Sequence, residues 1–133
     1  IASHEARFAV SGINLGLFCA TPAVALSRNI HPKHAMEMLL TGEFISPDKA
    51  QNLGLINRVV PAEELTSATR ELANTISQKA RAAVRTGKAM FYPQLDMELG
   101  KAYAYASDHM VNNLKNADTQ SGLNAFINKK SRN

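Results

Sequence analysis

Apolar positions follow a helical rhythm along most of this chain and an alternating rhythm in two short stretches. From Arg7 to Leu15, the residues Phe8, Val10, Ile13 and Leu15 are separated by small or polar ones. Gly12 and Gly16 interrupt that run, which predicts one or two short strands with a tight bend. Thr21-Pro22 predicts a helix start, with threonine as the cap and proline at the first helical position, where its missing N–H costs nothing. That helix should run to Asn29 or Ile30. Pro32 opens a second helix, with Ala35, Met36, Leu39 and Leu40 as its apolar face and Gly42 just past its end. Ser46-Pro47-Asp48 repeats the cap-plus-proline signal, and Gly54 closes a short helix after Leu53. Ile56 to Val60 reads as a strand stopped by Pro61.

Beyond Pro61 the rhythm is helical almost to the end. Glu63 to Lys79 carries Leu65, Ala68, Leu72 and Ile76 on one stripe. Arg81 to Gln94 lines up Val84, Lys88 and Phe91, with Pro93 marking its close. Asp96 is expected to cap a long helix bearing Leu99, Ala102 or Tyr103, Ala106 and Met110, through to Leu114. Asp118 or Thr119 opens a last helix with Leu123, Phe126 and Ile127. The expected fold class is mainly α with short β segments, containing too few strands for an independent sheet. The pieces at Phe8–Leu15 and Ile56–Val60 look like edges of a sheet supplied by other residues.

Composition narrows the function classes. The chain has 133 residues, 45% of them hydrophobic and 20% charged, an ordinary balance for a domain that buries a core. No apolar run approaches bilayer length, and Ile1 to Arg7 lacks the basic leader and apolar stretch of a signal peptide. The expectation is no membrane. The net charge of +4 comes from scattered residues, which argues against nucleic acid. Only Lys129-Lys-Ser-Arg132 forms a basic cluster, read either as a solvated tail or as an anion contact. Cys19 is the only cysteine, so no internal disulfide and no metal-ligand spacing exist, and a reducing compartment is the default.

The string from Leu40 to Pro61, Leu-Thr-Gly…Ile-Ser…Ala…Gly-Leu-Ile-Asn-Arg-Val-Val-Pro, together with Phe8 to Gly16, resembles the enoyl-CoA hydratase/isomerase (crotonase) family. The likeness covers essentially all 133 residues and is weaker through the C-terminal helices. It implies the last turn of a ββα spiral, residues 1–60, followed by a helical trimerisation region, residues 61–133. The ligand it implies is an acyl-CoA thioester, with coenzyme A as part of the substrate and no separate cofactor. It also implies a homo-oligomer, trimer or hexamer, in the cytoplasm, or in the mitochondrial matrix if the source is eukaryotic. The chain is expected to be a C-terminal portion, because the family's oxyanion donors and first glutamate lie in a Gly-rich segment upstream of everything here.

In the family, two backbone N–H groups hold the thioester oxyanion and carboxylates move protons at the neighbouring carbons. The second hydratase glutamate belongs to a motif resembling Phe-Gly-x-Pro-Glu-Ile-x-x-Gly. This chain has Phe8-Ala-Val-Ser-Gly-Ile-Asn-Leu-Gly16, which puts Gly12 at the glutamate position. The family's next segment, Pro-Gly-x-Gly-Gly-Thr, is Cys19-Ala-Thr-Pro-Ala-Val24 here, so the Gly-rich wall of the acyl pocket has changed. No catalytic residue and no metal ligand is therefore assigned within the chain. By resemblance Leu17, Phe18, Phe126 and Lys129 are the substrate-binding candidates, with Phe126 and Lys129 matching an ending that helps hold the adenine and phosphates of coenzyme A. A core phenylalanine with a solvated lysine is the alternative.

The remaining polar residues have plainer readings. Ser11 and Asn14 commonly stabilise turns. Cys19 has no activating neighbour in sequence and is more often a small buried thiol than a nucleophile. His31 and His34 lack a third ligand, and His109 defaults to packing or solvent. Three readings stand: a portion of an acyl-CoA enzyme, inactive by itself; a non-catalytic acyl-CoA-binding or assembly protein, favoured by Gly12; and an unrelated helical bundle.

Overall fold

A computed structural model describes the backbone of residues 1–130 and the side chains of residues 1–128. The chain divides into two compact units, Ile1–Glu71 and a second beginning at Leu72.

In the first unit β1 (Ala2–Ser3) lies parallel to β2 (Val59–Val60), with Ala2 opposite Val59 and Ser3 opposite Val60. Between them come α1 (Ala20–Ser27), α2 (Pro32–Thr41) and α3 (Pro47–Asn52). A parallel pair needs a crossover, and these helices supply it. Part of the expected strand at Ile56–Val60 is thus present, paired within the chain. Phe8 forms an isolated antiparallel bridge with Ile45, exchanging hydrogen bonds of 3.2 and 2.8 Å. Leu26, Ile30, Ala35, Met38, Leu39, Ile45 and Ala50 form the buried core, with Phe8, Val10 and Cys19 packed against it.

The caps of α2 and α3 follow the sequence closely. Pro32 begins α2, the His31 imidazole accepts the Lys33 N–H at 3.3 Å, and Gly42 ends the helix in the left-handed region at φ 62°. Ser46 caps α3 by accepting the Lys49 N–H at 3.2 Å, ahead of Pro47.

Two expectations are corrected here. The stretch expected as strand to Leu15 is extended only around Phe8, and Ser11–Leu15 winds into a 3-10 helix closed by Gly16 at φ 75°. The alternation of Ile13 and Leu15 mimicked a strand although Leu15 is exposed. The first helix begins at Ala20, not at a Thr21 cap, because the Cys19 carbonyl already accepts the Ala23 N–H at 3.0 Å. Pro22 is tolerated in the first turn, where N–H groups have no helical acceptor.

A 3-10 turn, Ala62–Glu64, leads into α4 (Leu65–Ser77). The second unit contains α5 (Arg81–Leu95), α6 (Leu99–Leu114) and α7 (Ala117–Lys130), each packed on the other two. Pro93 lies in the last turn of α5, which ends at Leu95, one residue beyond the expected Gln94. Glu98, not Asp96, caps α6, its carboxylate accepting the Gly100 N–H at 3.1 Å. Asp96 ends α5 instead. The expected apolar stripe of α6 holds only in part: Ala102 and Ala106 are half-buried, whereas Leu99, Met110 and the alternative Tyr103 are exposed. The half-buried face is Ala102, Tyr105, Ala106, His109 and Asn113.

Candidate functional site

The 3-10 helix and the segment after it form the chemically informative corner of the first unit. Gly16 N–H returns to the Ile13 carbonyl at 3.0 Å and Leu17 N–H to the Gly12 carbonyl at 3.0 Å. The turn is seated on the end of α2. Asn14 Nδ2 reaches the Gly42 carbonyl oxygen at 3.5 Å, and a Cβ at Gly42 would stand 2.8 Å from Ile13 Cγ2. Glycine at 42 therefore serves two demands, a left-handed torsion and a close approach. The expected turn role of Asn14 is realised across 28 positions of sequence rather than locally.

Gly12 faces Cys19. A Cβ there would overlap Cys19 Sγ and lie 3.0 Å from the Leu17 carbonyl oxygen. The thiol is free and partly buried against the core. Nothing in this geometry brings a carboxylate to position 12.

Two grooves lie within the first unit. One, of about 410 Å³, is lined by Phe8, Val10, Leu26, Met38 and Leu55, with Arg7 at its edge. The Arg7 guanidinium stacks over the Phe44 ring at 4.1 Å from the centroid, which keeps a cation beside an apolar cleft. The second, of about 270 Å³, lies between α1 and α2, with Phe18, Val24, Met36 and Leu39 among its lining.

Of the four residues singled out from the sequence, Phe18 is half-exposed in the α1–α2 groove. Leu17 is its exposed neighbour and lines neither groove. Phe126 is on α7 in the second unit, with most of its surface exposed. The side chain of Lys129 lies outside the described residues, as does the rest of the basic C-terminal cluster. Sequence reasoning missed Arg7 and Phe44, whose contact depends on the bridge that pairs Phe8 with Ile45.

The histidines have other partners. His34 Nδ1 lies 3.9 Å from Glu37, which also pairs with Lys49 at 3.5 Å, and His109 stacks edge-on to Tyr105 at 4.5 Å. Among the described residues there is no group of three side chains suited to a metal ion, and no helix long and apolar enough to cross a membrane.

Comparison with known proteins completes the picture. The family model for enoyl-CoA hydratase/isomerase matches residues 1–133. The chain is 50% identical over 130 residues to the mouse mitochondrial protein named enoyl-CoA hydratase domain-containing protein 3, covering 98% of this chain and 43% of that one. It is 30% identical to a crotonyl-CoA hydratase of Syntrophomonas wolfei, covering 100% of this chain and 52% of that protein. The crystal structure of an enoyl-CoA hydratase from Mycobacterium smegmatis superposes with a TM-score of 0.93 at 50% identity, covering 96% of this chain and 49% of that one. The chain thus spans about half the length of the curated relatives it matches.

Proposed function

The chain belongs to the enoyl-CoA hydratase/isomerase family, corresponding to its C-terminal portion, and on that premise we propose that it serves an acyl-CoA-binding protein of the crotonase type. In this reading the thioester carbonyl is polarised by oxyanion donors contributed upstream, and negative charge developing on its oxygen is stabilised there. This portion supplies apolar wall and nucleotide contacts: Leu17 and Phe18 beside the acyl chain, Phe126 and Lys129 at the adenine and phosphates. A lysine suits a phosphate as a compact point charge. Support comes from the apolar α1–α2 groove that Phe18 lines. The matched Syntrophomonas wolfei protein, named a crotonyl-CoA hydratase, supports the ligand class.

Gly12 carries the finer conclusion. Hydration needs a group that moves a proton, and the position matching the second hydratase glutamate has no side chain, with Cys19 Sγ standing where its β-carbon would be. We therefore favour binding, or a reaction that does not use that glutamate, over two-glutamate hydration. This portion by itself supplies no catalytic group. Assembly into a homo-oligomer, trimer or hexamer, fits the outward apolar residues of the second unit. The mitochondrial name of the mouse relative supports the matrix as the compartment if the source is eukaryotic.

Titration of crotonyl-CoA into the protein in its longest native form, beside an assay for loss of the enoyl thioester, tests this reading. Saturable binding with no hydration is expected. Absence of binding would remove the acyl-CoA reading, and rapid hydration would remove the role given to Gly12.

A further inference from the structure

Gly12 lies in the 3-10 helix with no left-handed torsion, so its backbone does not itself call for glycine. Space does. A β-carbon would overlap Cys19 Sγ and press the Leu17 carbonyl oxygen at 3.0 Å. The backbones of both neighbours are tethered, so the thiol can yield only by turning about its own Cα–Cβ bond. The Leu17 N–H donates to the Gly12 carbonyl at 3.0 Å, and the Cys19 carbonyl accepts the Ala23 N–H at 3.0 Å where α1 begins. Cys19 is itself partly buried against the core cluster.

We infer that Cys19 is the residue that holds position 12 as glycine: its thiol occupies the β-carbon volume of position 12 and so keeps a proton-transferring side chain out of this turn. Cys19 then determines what the site cannot do, without acting as a nucleophile. The steric part stands on the contact alone. The functional part rests on the reading of position 12 proposed above.

The two positions are coupled, and coupled contacts break additivity. In the 133-residue chain, Gly12→Ala is expected to lower Tm by about 5 °C or more, because it over-packs a filled contact. Cys19→Ala lowers it less, by leaving a small gap. The double variant moves a methyl group into the volume the sulfur vacated, so it should melt above Gly12→Ala. A double variant melting below Gly12→Ala by the full Cys19→Ala decrement would overturn the inference. If Gly12→Ala does not fold, Cys19→Ala and the double variant still decide, since the inference expects both to fold with similar Tm and fails if only the former does.

Thiol alkylation by iodoacetamide gives a second readout. In Gly12→Ala the displaced thiol should react several-fold faster than in the parent under native conditions, whereas an unchanged rate would show that the Leu17 carbonyl yields instead. None of these measurements depends on acyl-CoA binding, so the proposed function can fail while the coupling holds.

Discussion

In the first unit Leu26, Ile30, Met38, Leu39 and Ile45 turn into a shared core although Leu15, Leu17 and Phe44 stay exposed, whereas in the second the helices meet through half-buried side chains, most of them small or polar, and hold their largest apolar residues outward. Leu26, Met38, Leu39 and Ile45 are each less than a tenth exposed. In the second unit no described residue is buried. The half-buried residues of α5 are Ala82, Val84, Thr86, Met90 and Gln94, and those of α6 include Ala102, Ala106, His109 and Asn113. Meanwhile Tyr92, Leu95, Leu99, Tyr103 and Met110 are all more than 60% exposed. Isolated exposed leucines are ordinary, but a helical layer with its bulk turned outward is a surface awaiting cover. The first unit has a buried core of its own, and the second has none among its described residues.

The largest expected difference follows from that contrast. Leu39→Ala removes a side chain only 3% exposed and should cost about 2–5 kcal/mol in urea unfolding. Leu99→Ala, at 69% exposed, should cost the isolated chain about 0.5 kcal/mol or less. Equal costs in dilute, monomeric protein would break the comparison. It can be sharpened by sedimentation. Leu99→Lys together with Met110→Lys should weaken self-association about tenfold or more, corresponding to ~1.4 kcal/mol, with helical circular dichroism retained. Ala106→Lys, on the inner face of α6, should instead lower the helical signal.

Within the first unit the turn glycines separate backbone demand from packing demand. Gly42 and Gly16 both have positive φ, 62° and 75°. A Cβ at Gly16 meets nothing within 4 Å, while one at Gly42 meets Ile13 and Asn14. Gly16→Ala should therefore cost only the left-handed torsion, about 1 kcal/mol, and Gly42→Ala that amount plus over-packing, about 2–3 kcal/mol. Parallel urea titrations read both, and equal losses would mean the seat of the 3-10 helix on α2 adds nothing.

What the sequence revealed and what it concealed divide along physical lines. Pro32 with Gly42, and Ser46 with Pro47, are local signals whose chemistry is complete within a few residues, and both appear as expected. The family string made the fold legible through resemblance, and with it the vacancy of a carboxylate at Gly12. Non-local contacts were not legible. Asn14 meets Gly42 and Arg7 meets Phe44 only because the chain between them folds back. The α6 face was read only in part, right at Ala102 and Ala106 and wrong at Leu99 and Met110, because hydrophobic periodicity marks a face to be covered without saying by what. Leu99, Tyr103 and Met110 follow that rule only when their cover lies outside the unit.

The smallest expected effect tests whether a cap-like sequence is a cap. Ser46-Pro47 and Thr21-Pro22 carry the same signal, yet only the first is realised. Ser46 Oγ accepts the Lys49 N–H at 3.2 Å, whereas α1 starts at Ala20 and its cap residue, Cys19, makes no side-chain bond to the helix. Thr21 is already helical, so its hydroxyl cannot occupy the capping position. Ser46→Ala should cost about 1 kcal/mol and Thr21→Ala no more than about 0.5 kcal/mol, read from urea midpoints at unchanged slope. A larger loss at Thr21 would move the start of α1 two residues later, to Pro22. The Cys19 carbonyl would then no longer be tied by the first helical bond, and the thiol that fills the space beside Gly12 would lose its anchor.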